Sequence, residues 1–126
     1  MDVFKTPGAF SWNELMTTDP VAAQAFYGPL FGWSFREQPM PEGPYVVGSI
    51  GETGLCGVMK ITPQMGAMPP AWGAYVTVAD IEASLAKAKD LGGRVLAGPF
   101  EVPQVGRIAV IQDPQGAVIS VIQYAG

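Results

Sequence analysis

The chain has 126 residues, of which 48% are hydrophobic and 14% are charged, and its formal net charge is −4. These values are typical of one folded domain with a substantial core, and they exclude a disordered chain. They also argue against a nucleic-acid partner, which needs a Lys/Arg surface, and against a membrane partner, since no apolar run approaches the ~20 residues of a spanning helix.

The first half of the chain predicts one strand, one helix and three further strands. Residues 9–17 read as a strand, after which Asp19 supplies a helix N-cap and Pro20 the first helical position. Apolar residues then recur at helical spacing, and Pro29 is expected to end or kink the helix in its last turn. The strands that follow are predicted to start at 32–35 and to span 44–50 and 55–61, the last two joined by a turn at 51–54.

The second half repeats this order after a linker at 62–71. A strand at 72–78 leads into a helix that Asp80 caps and Gly92-Gly93 closes. The remaining strands are predicted at 94–98, 107–112 and 117–123, the last two forming a hairpin around the turn at 113–116.

This repeat predicts an α+β chain built from two βαβββ modules. The first module covers about 9–61 and the second about 72–124, inside a single domain that spans 1–126.

Alternation along the strands predicts that each sheet has one side covered by its helix and one side of mixed chemistry. On the first strand, Leu15 is expected to face the helix, which leaves Trp12, Glu14 and Met16 on the mixed side. Aligning the two halves at their capping aspartates puts Gly73, Tyr75 and Thr77 on the mixed side as well.

The predicted turns fix which residues oppose each other in the two hairpins. The turn at 113–116 opposes Ala109 to Ser120 and places Arg107 on the mixed side. The turn at 51–54 opposes Val47 to Val58, on the same mixed side as Tyr45. The mixed sides of the two curved sheets are expected to face each other and form a cleft.

Three segments carry a resemblance to a known superfamily: WNELMTTDPVAAQAFYGPLFGW (12–33), YVTVADIEASLAKAKDLGG (75–93) and GRIAVIQDPQGAVISVIQ (106–123). They resemble the vicinal oxygen chelate superfamily, which includes glyoxalase I, ring-cleaving dioxygenases and bleomycin-resistance-like proteins. The resemblance implies paired βαβββ modules with a cleft and helices on the outer face, and it implies a homodimer.

The resemblance also implies where a metal would bind. Metal-using members place one ligand on the first and one on the last strand of each module, and the matching positions are Trp12, Val58, Gly73 and Ser120, with the register at Val58 and Gly73 open by one residue. None of these is a competent ligand for a divalent metal, and the chain contains no histidine. We therefore expect no metal and no other cofactor, which excludes the metal-dependent chemistries of glyoxalase I and the dioxygenases.

Two charged residues are the candidate catalytic groups. Glu14 is interpreted as a general base whose pKa is raised by apolar neighbours, or as a structural carboxylate paired with a cation or backbone donors. Arg107 is interpreted as an anchor for a ligand carboxylate or enolate, or as a rim charge or an ion-pair partner of Glu14.

The candidate ligand contacts are mostly aromatic. Tyr45 and Tyr75 are expected either to donate to a ligand oxygen or to cap apolar surface. Trp33 is expected in the core behind the first helix. The remaining predicted members of the pocket wall are Trp12, Val58, Met59, Met65, Met68, Trp72 and Ser120.

One cysteine, Cys56, and an N-terminus without a signal-peptide apolar region favour a cytoplasmic location. Three functions stay open. The first is metal-independent binding of a small apolar or aromatic organic molecule in the inter-module cleft. The second is a metal-free isomerase, lyase or hydrolase that uses Glu14 as base and Arg107 or a tyrosine to steady an oxyanion. The third is an interaction domain that fills its own cleft.

Overall fold

The computed structural model of the chain describes residues 1–38, 45–63 and 69–125. Across these residues the chain follows the predicted order of strand, helix and three strands, twice. The elements are β1 (Phe10–Thr17), α1 (Pro20–Phe31), β2 (Ser34–Gln38), β3 (Tyr45–Ile50), β4 (Thr53–Lys60), β5 (Ala71–Thr77), α2 (Ile81–Asp90), β6 (Arg94–Val102), β7 (Gly106–Gln112) and β8 (Val118–Tyr124).

The chain divides into two compact units. One unit is Trp12–Gly73 and the other is Met1–Ser11 together with Ala74–Gly126. From here on, these two units are called the first module and the second module. Met65 and Met68, which were predicted to line the pocket, lie outside the described residues.

Both helices begin at the predicted caps. The Asp19 side chain accepts a hydrogen bond from the Ala22 amide at 3.0 Å, which satisfies one of the free N–H groups at the start of α1. The Asp80 side chain does the same for α2. Pro29 lies in the last turn of α1, as predicted, and the helix continues to Phe31 and stops at Gly32 in the left-handed conformation.

The first module forms a sheet in the order β2-β3-β4-β1, in which β1 and β4 run parallel and the other neighbours antiparallel. Leu15, Val46 and Val58 are buried on one side, and side chains of α1 and β2 pack against them. As predicted, Leu15 therefore faces the helix, and the alternate residues of β1 face the other way.

The predicted register of the β3–β4 hairpin was wrong by one residue. Val58 lies opposite Val46, and Val47 lies opposite Gly57. The strands are joined by a two-residue turn, and the pairing shifts at a bulge beside Gly48. Because side chains alternate with a period of two, this slip moves Val58 from the predicted mixed side into the core, where it is 1% exposed.

The second module forms a sheet in the order β5-β8-β7-β6. Ile81 and Leu85 of α2 pack on Ala109 and Val121, which lie opposite each other on β7 and β8. The expected pairing of Ala109 with Ser120 was therefore also wrong by one residue.

Within the parts of the chain that the structure describes, neither helix is long and apolar enough to cross a membrane.

The packing of α2 makes a direct prediction about stability. Leu85 is 6% exposed in the core of the second module, whereas Leu91, just past the helix, is 69% exposed. We expect Leu85→Ala to lower the free energy of unfolding by about 2–4 kcal/mol, because it leaves a cavity. The matched change Leu91→Ala is expected to cost less than about 0.5 kcal/mol. Urea unfolding measures both, and equal losses would contradict the described packing.

Candidate functional site

Three side chains of the first module form a hydrogen-bonded chain on the sheet side opposite α1. The Trp12 indole Nε1 donates to the Tyr45 hydroxyl at 2.9 Å, and that hydroxyl donates to Oε2 of Glu14 at 2.9 Å. Glu14 is only 8% exposed. An indole N–H is a donor only and a phenol has a single proton, so the direction of this Trp12–Tyr45–Glu14 row follows from its chemistry.

Gly57 provides the space for this row. It lies opposite Glu14 on β1 and opposite Val47 on β3, so Tyr45 is its diagonal neighbour on the same sheet face. A Cβ atom at Gly57 would overlap the hydroxyl and the ring of Tyr45. The absent side chain therefore lets Tyr45 lie across the sheet and reach Glu14.

The position of Gly57 was missed in the sequence. A glycine inside a strand commonly marks a close approach of other atoms to the backbone, so LCGVMKI did contain the signal. The predicted register instead assigned the neighbouring Val58 to this place.

Arg107 does not lie on the predicted side of its sheet. It pairs with Gln123, one residue from the predicted register, and so points toward α2. There its guanidinium donates to the Glu82 carboxylate and lies 3.8 Å from the carboxylate of Glu101. The predicted placement of Arg107 on the mixed side of its sheet was wrong, and its role toward a ligand anion stays a prediction. The turn between β7 and β8 holds five residues, 113–117, instead of the four that were predicted. The Asp113 amide donates to the Ala117 carbonyl across this turn.

Trp72 also lies away from the Trp12–Tyr45–Glu14 row. Its Nε1 donates to the Tyr27 hydroxyl of α1 at 3.1 Å, and its ring contacts Trp33 edge-on. Trp33 packs beside Tyr27 and Phe31 of α1, but it is only partly buried and is not among the residues of the first module's core, where it was expected. The placement of Trp72 in the pocket wall is thereby corrected, since it belongs to this aromatic cluster on the helix side.

Tyr75 and Ser120 lie side by side in the second module as register partners on β5 and β8. They are 5% and 8% exposed. Ser120 alternates with Val121 of the α2-side core, so both residues are on the opposite sheet face, as predicted. Their contact with a ligand remains a prediction.

The residues at the superfamily's metal positions do not fit a metal ion. Gly57 lies opposite Glu14 on the parallel strands of the first module, as Ser120 lies opposite Tyr75 in the second. Gly57 is therefore the counterpart of Ser120, and it replaces Val58 among the expected metal positions. Trp12, Gly57 and Gly73 then supply no imidazole, thiolate or carboxylate. Among residues 1–38, 45–63 and 69–125, no group of three or more Cys, Asp and Glu side chains could hold an ion.

Cys56 lies on the other side of the sheet, toward the core. Burial raises the pKa of its thiol, and the backbone hydrogen bond at Gly48 opposes this effect only in part. The thiol is 3% exposed. A buried thiol with a raised pKa is a structural group, since nucleophilic cysteines need an accessible thiolate.

With this geometry established, known proteins show which family the chain represents. Residues 13–122 match the model of the glyoxalase-like domain. The chain belongs to this family of the vicinal oxygen chelate superfamily, as the sequence resemblance predicted.

Two curated relatives are similar over most of the chain. CFP32 of Mycobacterium tuberculosis, a candidate glyoxylase, is 40% identical over 94% of this chain and 45% of its own length. The anthracycline biosynthesis protein DauV of a Streptomyces species is 32% identical over 97% of this chain and 44% of its own length. The chain thus spans less than half the length of both relatives.

A solved structure confirms the predicted fold class. Methylmalonyl-CoA epimerase from Mycobacterium tuberculosis superposes with a TM-score of 0.67 over 94% of this chain and 89% of its own, at 16% identity. The fold is α+β with two βαβββ modules of the glyoxalase-like type.

The environment of Cys56 predicts slow reaction with a thiol reagent. At pH 8 we expect labelling of the folded protein at least about tenfold more slowly than in urea, because the raised pKa and burial both reduce the accessible thiolate. The same shift stabilises the fold below the thiol's unfolded pKa, and this contribution is lost as pH rises through the folded value. Cys56→Ala gives the background signal. Equal rates with and without urea would contradict the placement.

Proposed function

We propose that this chain binds a small apolar or aromatic organic molecule without a metal ion, on the sheet face of the first module that carries the Trp12–Tyr45–Glu14 row. The observation that carries the proposal is the row itself, in which two aromatic rings and one nearly buried carboxylate are ordered by direct hydrogen bonds. Apolar surface with a few placed polar groups is the usual composition of a small-molecule site.

The two aromatic rings of the row support a flat ligand. They pack directly over glycine backbone, since a Cβ at Gly54 would lie 3.7 Å from the Trp12 ring and one at Gly57 would overlap Tyr45. Aromatic rings prefer offset-stacked or edge-to-face contacts, which a planar ligand offers. The name of DauV points the same way, since an anthracycline is a fused-ring aromatic compound.

A metal-free enzyme is the second candidate, favoured by the position of Glu14. A carboxylate that is 8% exposed and held by a tyrosine is suited to accept a proton from a bound carbonyl compound. With Arg107 on the other side of its sheet, Tyr45 takes over the oxyanion-steadying role in this alternative: as Glu14 accepts the substrate proton, the Tyr45 hydroxyl turns its own proton from Glu14 to the substrate oxygen. The reaction would be that of an isomerase, lyase or hydrolase.

Binding predicts a difference between two tryptophans of the same module. Trp12→Leu removes a ring of the proposed site and is expected to weaken binding of 2-naphthol, a planar aromatic probe, about tenfold, as measured by calorimetry. Trp72→Leu, in the aromatic cluster of α1, is the matched control and is expected to change affinity less than about twofold. A larger loss in the control would contradict the location of the site.

Metal independence predicts the same ligand response with and without a chelator. A ligand at one hundred times its dissociation constant adds about 2.7 kcal/mol of stability, visible as a thermal shift. We expect this shift to be unchanged by EDTA. Loss of the shift in EDTA, with recovery on adding zinc or nickel, would contradict the proposal.

The enzyme alternative predicts that Glu14→Gln abolishes turnover of a converted substrate while binding persists, because the amide keeps the shape of the carboxylate but does not accept the proton. Single-turnover assays beside calorimetry separate the two effects. Turnover that survives in Glu14→Gln would contradict a role for Glu14 as base.

A further inference from the structure

We infer that two copies of this chain pair through the outer face of α1, helix against helix and related by a two-fold axis. This outer face consists of two rows of exposed residues at i, i+4 spacing: Val21, Ala25 and Pro29, and beside them Ala22, Phe26 and Leu30. The sequence resemblance implied a homodimer without naming its surface, and this face of α1 supplies one. It is separate from the proposed ligand site, which is on the opposite side of the sheet.

The outer face of α1 is apolar although it is exposed. Val21 is 76% exposed and Phe26 is 62% exposed. Ala23 and Tyr27, on the inner side of the same helix, already pack against the core of the first module. A surface helix usually turns charged or polar residues to water, so an apolar outer face indicates that another surface covers it.

The equivalent helix of the second module provides an internal comparison. The two helices can be aligned at their N-caps, Asp19 and Asp80. Three aligned pairs, all exposed, are Val21 and Glu82, Phe26 and Lys87, and Pro29 and Asp90. These positions carry three charges in α2 and none in α1. The apolar outer face is therefore a property of α1 and not a requirement of the βαβββ module.

The exposed apolar area is of the size that a dimer needs. Phe26 contacts Tyr27 edge-on, and Tyr27 contacts Phe31 and Trp72, so the outer face continues into the aromatic cluster. With about 200 Å² for a whole aromatic side chain, Phe26, Phe31 and Trp72 together expose roughly 300 Å². A standard interface buries about 800 Å² per partner, of which about 65% is apolar in homodimers. These rings and the aliphatic side chains of the outer face supply most of that apolar part.

The chemistry of the outer face favours a second copy of the same chain as the partner. None of the residues Pro20–Phe31 is charged, so a nucleic acid, an anionic membrane or a charged protein surface meets no counter-charge there. Phe26 is flanked by the small residues Ala22 and Ala25. In an antiparallel pair, the Phe26 ring of each copy packs on the alanines of the other, and the same apolar residues are buried on both copies.

The mass of the chain in solution tests the pairing, and sedimentation equilibrium measures it. We expect two copies at micromolar concentration. Phe26→Lys gives α1 the residue that α2 carries at the aligned position, and it places two like charges near the two-fold axis. It is expected to raise the dissociation constant of the pair at least about tenfold, because these charges are desolvated on pairing. Leu91→Lys, at the exposed position of the second module that aligns with Leu30, is the matched control and is expected to leave the dissociation constant unchanged.

Cross-linking locates the contact. In a Cys56→Ala background, Ala25→Cys puts a thiol near the proposed two-fold axis, whereas Ala86→Cys puts one at the aligned exposed position of α2. With a short bismaleimide, we expect Ala25→Cys to give linked pairs at least about tenfold faster than Ala86→Cys, because pairing raises the effective concentration of the two thiols. A chain that stays monomeric at micromolar concentration would overturn the inference. A pair that Phe26→Lys leaves intact, or equal cross-linking at the two positions, would overturn it as well.

Discussion

The first module depends on one steric condition, the absence of a side chain at Gly57. Tyr45 occupies the space where that side chain would be, and from there its hydroxyl reaches the Glu14 carboxylate. Trp12 then completes the row by donating to the same hydroxyl. A buried carboxylate is costly without partners, and the hydrogen bond from Tyr45 offsets part of that cost for Glu14.

On the superfamily scaffold, the proposed function gives this row the chemistry of an organic hydrogen-bonding site in place of a metal site. The corresponding pair in the second module, Tyr75 and Ser120, is also neutral and nearly buried. Indole, phenol and hydroxyl groups recognise rings and hydroxyls, whereas divalent ions need imidazole, thiolate or carboxylate ligands. The two modules thus share one architecture, and in both the residues at the expected metal positions lack imidazole, thiolate and carboxylate groups.

Much of the fold was predictable because its signals are local. Asp19 and Asp80 marked both helix starts, and period-two alternation placed Leu15 toward the core and Glu14 opposite to it. The two register errors share one physical cause, since a turn length or a bulge shifts register without changing the apolar pattern. One such shift exchanged Val58 for Gly57, and another turned Arg107 toward α2. The hydrogen bond between Trp12 and Tyr45 joins separate strands, and no local pattern predicts it.

A pair of crystal structures tests the central claim most directly, one of the unchanged chain and one of Gly57→Ala. The account predicts a Tyr45 hydroxyl within about 3 Å of Glu14 in the unchanged chain. In Gly57→Ala it predicts that β1 and β4 stay paired while Tyr45 swings away and this hydrogen bond is lost. A Tyr45–Glu14 hydrogen bond that survives beside an alanine at this position, or that is missing from the unchanged chain, would contradict it.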